Sequence, residues 1–202
     1  GGKTMVLTTT LRAVQAVAQH LRAQQAGAGA QTQTQAQTQT LEILAQGEAS
    51  RRELLARFAA HAAHPGGGAV LVASTAFWEG IDLAGGVLQV LVIDKLPFAP
   101  PDDPLLRAQT DACKAAGGNA FAQIHLPRAA MVLKQGAGRL IRSESDRGLL
   151  VVCDARLHSR SYGGKLLQAL PPMRPLRDAG EWEAALAQLA PDAAGPPVCP
   201  NV

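Results

Sequence analysis

The chain has 202 residues, 47% of them hydrophobic and 17% charged, with a formal net charge of +3, which fits one ordinary globular domain with a short appendage. That mild positive balance permits a nucleic-acid partner without arguing for one, and no apolar run reaches the roughly 18 residues that cross a bilayer, nor does the chain start like a signal sequence. The three cysteines, Cys113, Cys153 and Cys199, have neither paired nor metal-type spacing, so free thiols in a reducing cytoplasm are expected.

The first four residues, Gly1-Gly2-Lys3-Thr4, end the way a Walker A phosphate loop ends. That loop needs an outer glycine and a strand before it and a helix after it. Here a β-type run, Met5 to Leu7, comes next instead, so the segment reads as a turn feeding a strand. Thr10 can cap a helix from Leu11 to about Gln24. The tract QTQTQAQTQT, residues 31 to 40, has nothing to bury and reads as a disordered surface insertion. Leu41 to Leu44 is a second strand, and a helix from Ser50 to about His61 follows. Pro65-Gly66-Gly67-Gly68 breaks the chain ahead of a strand from Ala69 to Ala73. Val87 to Ile93 is a fourth strand, ended by Leu96-Pro97-Phe98-Ala99-Pro100-Pro101. Asp102 or Asp103 before Pro104 marks an N-cap and a first-turn proline for a helix through about Ala115, closed by Gly117-Gly118-Asn119. Leu126-Pro127 opens a helix to Ile141, and Arg147-Gly148 turns into a last strand, Leu149 to Cys153. A helix from Tyr162 to Leu170 completes a compact domain, residues 1–172. Residues 173–202 hold one amphipathic segment, Glu181 to Leu189, and a Pro-rich tail expected to be mobile. Strands alternating with helices predict an α/β fold, a parallel sheet covered on both faces.

Two stretches carry chemistry. On a helix, Gln135, Arg139 and Arg142 fall on one stripe, while Leu133, Ala137, Leu140 and Ile141 fall on the opposite side. Two guanidinium forks a turn apart match a polyphosphate, because each donates paired hydrogen bonds; the bland alternative is a solvated arginine face. Two glycines in that helix, Gly136 and Gly138, each cost about 1 kcal/mol relative to alanine and suit a close approach to the backbone. The second stretch, Ser74 to Leu83, comes after a strand end, where ligands of open α/β sheets gather. It places the hydroxyls of Ser74 and Thr75 and the carboxylates of Glu79 and Asp82 there, although such residues also cap turns. Thr8-Thr9-Thr10 repeats that arrangement ahead of a helix N-terminus, where anions are favoured. Asp154 and Arg156 could form a structural ion pair.

These strings resemble a known family. QGAGRLIRSESDRGLLVVCDARL is similar to the last motif of superfamily 2 helicases in its DinG/XPD form, and STAFWEGIDLAGG to the motif before it. IDKLPFAPPDDPLLRA, GGNAFAQIHLPRAA and SYGGKLLQALP are similar to bacterial DinG-like helicases, the YoaA-like branch in particular, and VLTTT resembles the family's fourth motif with Thr for the usual Ser. The resemblance runs over about residues 2 to 172. It implies the second RecA-like motor domain of an ATP-dependent 5′-to-3′ DNA helicase. It further implies that Arg139 and Arg142 stabilise the γ-phosphate, that Gln135 links their helix to nucleotide or DNA, and that Glu79, Gly80 and Asp82 line the nucleotide edge. Thr8, Thr9, Ser74 and Thr75 are implied to touch the DNA backbone; Phe77 and Trp78 either stack on a base or, the favoured reading, pack under the loop. By the same resemblance, ATP with Mg²⁺ is held mainly by an N-terminal RecA-like domain of the same protein, and a 4Fe-4S cluster belongs to that upstream part, with none of the three cysteines as its ligand. Single-stranded DNA is the implied partner, the setting is bacterial, cytoplasmic and nucleoid-associated, and these residues alone are expected to be inactive. A non-catalytic nucleic-acid-binding or regulatory module with the same fold is the alternative. A P-loop kinase-like enzyme would take the opening residues literally, without the upstream elements that reading requires.

Overall fold

A computed structural model describes residues 3–29, 41–63, 67–78, 87–100, 102–141 and 146–189. The Gln/Thr tract and the Pro-rich tail, for which disorder and mobility were expected, lie outside these residues. The sheet has five strands, β1 (Lys3–Thr8), β2 (Leu41–Ala45), β3 (Gly68–Ser74), β4 (Val90–Ile93) and β5 (Leu149–Val152), in the order β2-β3-β1-β4-β5. Every pairing is parallel, so each connection has to recross the sheet; helices make the crossings from β1 to β2, from β2 to β3 and from β4 to β5. All seven residues of β3 are buried, the near-continuous apolar signature of an interior parallel strand.

Helix α1 (Leu11–Gly29) covers one face; α2 (Arg51–Ala63) and α5 (Leu126–Leu140) cover the other. The alternation of strand side chains sorts two cores. Val14 and Ala18 of α1 pack on Ile43, Ala45, Val70 and Val72. Met5, Leu7, Leu44, Leu71, Leu91 and Ile93 point the other way, onto Leu54 and Phe58 of α2 and Leu126, Ala129 and Leu133 of α5. On the α1 side the burial lessens toward β4 and β5, where Val92 and Val151 are only half-buried.

Several expected boundaries move. α1 runs past Gln24 to Gly29. Its Ala- and Gln-rich end propagates well and is held by Gln25, whose Nε2 donates to Leu41 O at 2.9 Å, and by Arg22, which donates to Ile43 O at 2.8 Å and pairs with Glu48. β4 begins at Val90 rather than Val87, yet Gln89 already bridges the neighbouring strands, its N–H donating to Lys3 O and its carbonyl accepting from Leu149 N–H, both at 2.8 Å. α4 (Pro104–Ala115) is capped by Asp103, whose carboxylate accepts from Leu105 and Leu106 N–H, which settles the choice between Asp102 and Asp103. The helix expected to open at Leu126 instead continues from a π-helical turn, Phe121–His125. That same helix, α5, stops at Leu140, one residue early, because Ile141 is extended with φ −122° and ψ 109°. Three short helices complete the domain: α3 (Thr75–Trp78), in a stretch expected to be loop, α6 (Arg156–Ser159), and α7 (Gly163–Ala169). The amphipathic segment forms α8 (Ala179–Gln188), and Gln89 Nε2 donates to Leu189 O at 2.9 Å, joining the end of α8 to the amino edge of the sheet.

One turn admits no side chain. A Cβ on Gly163 would lie 1.8 Å from Leu157 O, whereas one on Gly164 would meet nothing within 4 Å. Gly163→Ala is expected to force apart the α6–α7 corner at a cost of about 2–3 kcal/mol, lowering the melting temperature by roughly 5–10 °C for a domain of this size. Gly164→Ala is expected to be neutral or mildly stabilising. Thermal denaturation of both variants checks the contrast.

Candidate functional site

Because all strands are parallel, their carboxyl ends share one edge. The register sets Thr8 beside Ser74 and Leu7 beside Ile93. β1 leads away to β2 beyond β3, while β4 leads to β5 on the other side. The crevice between β1 and β4 is therefore the switch point at which open α/β sheets bind ligands. A shallow apolar cavity opens there, lined by Leu7, Thr75, Ile93, Pro97, Val132, Leu133 and Gly136.

The hydroxyl-bearing residues play unequal parts. Thr8 is buried, and its Oγ1 donates to Thr10 O at 3.0 Å, so its hydroxyl is committed to the turn. Thr10 in turn caps α1, its Oγ1 accepting from Ala13 N–H at 3.2 Å. Thr9 is exposed at the edge, and Thr75 is half-buried in the cavity wall. Ser74 is 8% exposed, and its N–H donates to Gln46 Oε1 at 2.7 Å, while the Gln46 N–H donates to Val72 O at 2.9 Å. Gln46 thus finishes the β2–β3 ladder with its side chain and sets where β3 gives way to α3. Sequence patterns do not reveal it; the only local signal is the adjoining Gly47, which takes φ +100°.

Phe77 packs. It is 5% exposed, and the Arg51 guanidinium lies 5.3 Å from its ring centroid. The side chain of Trp78 and the whole of Glu79, Gly80 and Asp82 fall outside the described residues.

On α5, Leu133, Ala137 and Leu140 are buried as expected; Gln135 is exposed and Arg139 half-buried. Helical phase sets Arg139 on the flank shared with Val132 and Gly136, two residues of the cavity wall. Gln135 lies one turn earlier on that flank. A Cβ on Gly138 would meet nothing within 4 Å, so nothing among the described residues demands glycine there. Arg142 lies outside the described residues. α5 ends at Leu140, ahead of an extended Ile141, and among the described residues Gln135 and Arg139 share its polar stripe.

Asp154 and Arg156 do form a structural pair. The Asp154 carboxylate, 7% exposed, accepts from Arg156 Nη2 at 2.6 Å and Nε at 3.0 Å, from Arg156 N–H at 3.0 Å and from Leu96 N–H at 2.9 Å. Arg156 also stands 5.6 Å from the ring of Phe98, which packs with Phe121 and Tyr162. The guanidinium, with the two backbone N–H groups behind it, holds the carboxyl far below the usual carboxylate range. The neighbouring Cys153 thiol is pushed up by desolvation and then by the charge of Asp94. Among the described residues no three His, Cys, Asp or Glu side chains come together as a metal site, and none of the helices is long and apolar enough to cross a membrane.

A parallel α/β domain with a polar stripe beside its switch-point crevice is the class that this architecture defines. The helicase C-terminal domain family matches residues 1–173. The chain is 49% identical over 138 residues to the ATP-dependent DNA helicase YoaA of Escherichia coli (strain K12), covering 68% of this chain and 21% of that protein. It is 40% identical over 177 residues to YoaA of Haemophilus influenzae, covering 88% and 25% respectively, and 35% identical over 190 residues to the ATP-dependent helicase DinG of Mycobacterium tuberculosis (strain H37Rv), covering 94% and 26%. The chain belongs to the helicase C-terminal domain family, in its DinG/XPD branch. It spans a fifth to a quarter of the length of these relatives.

The Asp154 pair gives a pH signature. Its carboxyl is depressed in the folded state, so its stabilisation is complete above the unfolded Asp value of about 4 and is lost as pH falls below it. Asp154→Asn is expected to cost about 2 kcal/mol at neutral pH. The melting-temperature gap to the parent protein should hold from about pH 8 to 5 and close below about pH 4, as thermal melts across pH would read.

Proposed function

We propose that this chain is the second motor domain of an ATP-dependent 5′-to-3′ DNA helicase, residues 1–172 forming the motor and 173–202 an appendage. The observation that carries the reading is the pairing of Gln135 and Arg139 on the α5 flank beside the β1–β4 crevice. ATP with Mg²⁺, when bound between this domain and an N-terminal RecA-like domain, supplies the γ-phosphoryl group whose transfer to water drives the cycle. Arg139 and Arg142 stabilise the charge that develops on that group, as fixed cations do in related phosphoryl transfers. Gln135 couples their segment to the nucleotide or the strand. Glu79, Gly80 and Asp82 form the nucleotide edge of the motif after β3. Thr9 and Thr75, the more accessible of the four hydroxyl residues, hold backbone phosphates of single-stranded DNA; Thr8 and Ser74 shape the turns that present them. The 4Fe-4S cluster, like the phosphate loop, belongs to the N-terminal part of the full protein, and the setting is bacterial, cytoplasmic and nucleoid-associated, a reading that the bacterial DNA helicases among its relatives support. Without that partner domain the chain is inactive.

In the full-length protein, Arg139→Ala and Arg142→Ala are each expected to lower DNA-stimulated ATP turnover by about 10³-fold while ATP binding is largely retained. Steady-state ATPase assays beside nucleotide-binding titrations separate the two effects. Undiminished turnover in both variants would make the stripe a solvated face and favour a non-catalytic nucleic-acid-binding module.

A further inference from the structure

The strand-end row has two outer neighbours, and they differ. Beyond β3 lies Gln46, whose amide oxygen is already taken by Ser74 N–H. Beyond β1 lies the end of β4, where Asp94 N–H donates to Leu7 O at 2.9 Å and Leu96 N–H donates to Asp154 Oδ2 at 2.9 Å. Lys95 stands between these two anchored amides, so its backbone is fixed from both sides while its side chain is exposed. Among the described residues no hydrogen bond or ion pair engages its ammonium. Of the acidic residues beside it, Asp154 is committed to Arg156, and Asp94 is near enough to the Cys153 thiol to raise its pKa. From the Thr75 end of β3 to the Lys95 end of β4 is two inter-strand steps, about 10 Å, with Thr9 between them, which is wider than one phosphate group.

We propose that Lys95 is a further phosphate contact for single-stranded DNA, extending the path from the ends of β3 and β1 to the end of β4. This rests on the reading of Thr9 and Thr75 as backbone contacts. It also gives the path a side: the strand leaves over β4, since the β2 end offers a side chain already spent on the fold. Lys suits this position because an ammonium on a flexible stem follows a phosphate without demanding a fixed fork geometry.

Each phosphate that a cation neutralises on a single strand contributes about 0.7 to the slope of log affinity against log salt, which makes one contact worth about five-fold at a salt concentration one decade below 1 M. The test uses the full-length protein with ATP and Mg²⁺, stimulated by oligothymidylate across a range of salt. Lys95→Gln is expected to raise the half-stimulating oligonucleotide concentration about five-fold near 0.1 M salt and to flatten the salt slope by about 0.7. Turnover at saturating oligonucleotide and KM for ATP should not change, and Lys95→Arg should restore the slope. A parent-like slope in Lys95→Gln, or a shift in KM for ATP instead, overturns the contact and leaves the motor reading intact. A parent protein that single strands do not stimulate at all overturns both.

Discussion

The hydrogen bonds that pair β1 with β3 on one side and β4 on the other determine most of the remaining architecture of this molecule. They are parallel, so the chain has to return over the sheet between strands, and α1, α2 and α5 do so with an apolar face on it. They are also in a single register, which sends Met5 and Leu7 to the α2–α5 core and leaves Val6 to the α1 core. A slip of one residue would exchange the two sets. The same register brings Thr9, Thr75 and Lys95 to one edge, although they are far apart in sequence. The site is a by-product of the sheet's direction.

That edge is held by two side chains acting in place of backbone. Gln46 supplies the acceptor that the next residue of a longer β2 would have supplied to Ser74. Asp154 does the same for Leu96 after β4, with a charge that Arg156 balances. The two are not equal: neutral hydrogen bonds contribute about 1 kcal/mol net and charge-assisted ones about 1.5–3. The β4–β5 end carries Lys95 and the cavity residue Pro97. The β2–β3 end has a charged support of its own one step back, where Glu48 accepts from Ala45 N–H and pairs with Arg22, so Gln46 is left to fix only the last rung, next to the motif that continues from Thr75 toward Glu79.

Much of this was legible in the sequence, for reasons particular to each element. β3 announces itself as an unbroken apolar run, and α4 by Asp103 ahead of Pro104, since a cap and a first-turn proline are local chemistry. The strings around Gln135 and Thr75 were legible as motifs because their chemistry depends on residue identity in short order. The π-helical turn before α5 was not, since Phe121 to His125 has the same helical pattern that an α-helix would have. α3 and α6 were too short for periodicity to register. Gln46 was hidden for a different reason: its partner, Ser74, is a backbone amide 28 residues away, and no pattern around Gln46 points across that distance. Thr8 was misleading in the opposite sense, because a hydroxyl at a strand end looks available until burial shows it bonded to Thr10.

The end of α5 shows how the core reaches into the site. Leu140 occupies the space beside Gly148, where a Cβ would come within 2.6 Å of its side chain, so the last turn of the helix is seated against the start of β5. Arg139 is the residue before it and takes its position from that seat. Helical geometry stops there, since Ile141 is extended, and Arg139 is the basic residue of that last turn. Its direction is thus set by the packing of Leu140 one position on, so the core contact that ends the helix also fixes where a guanidinium leaves it.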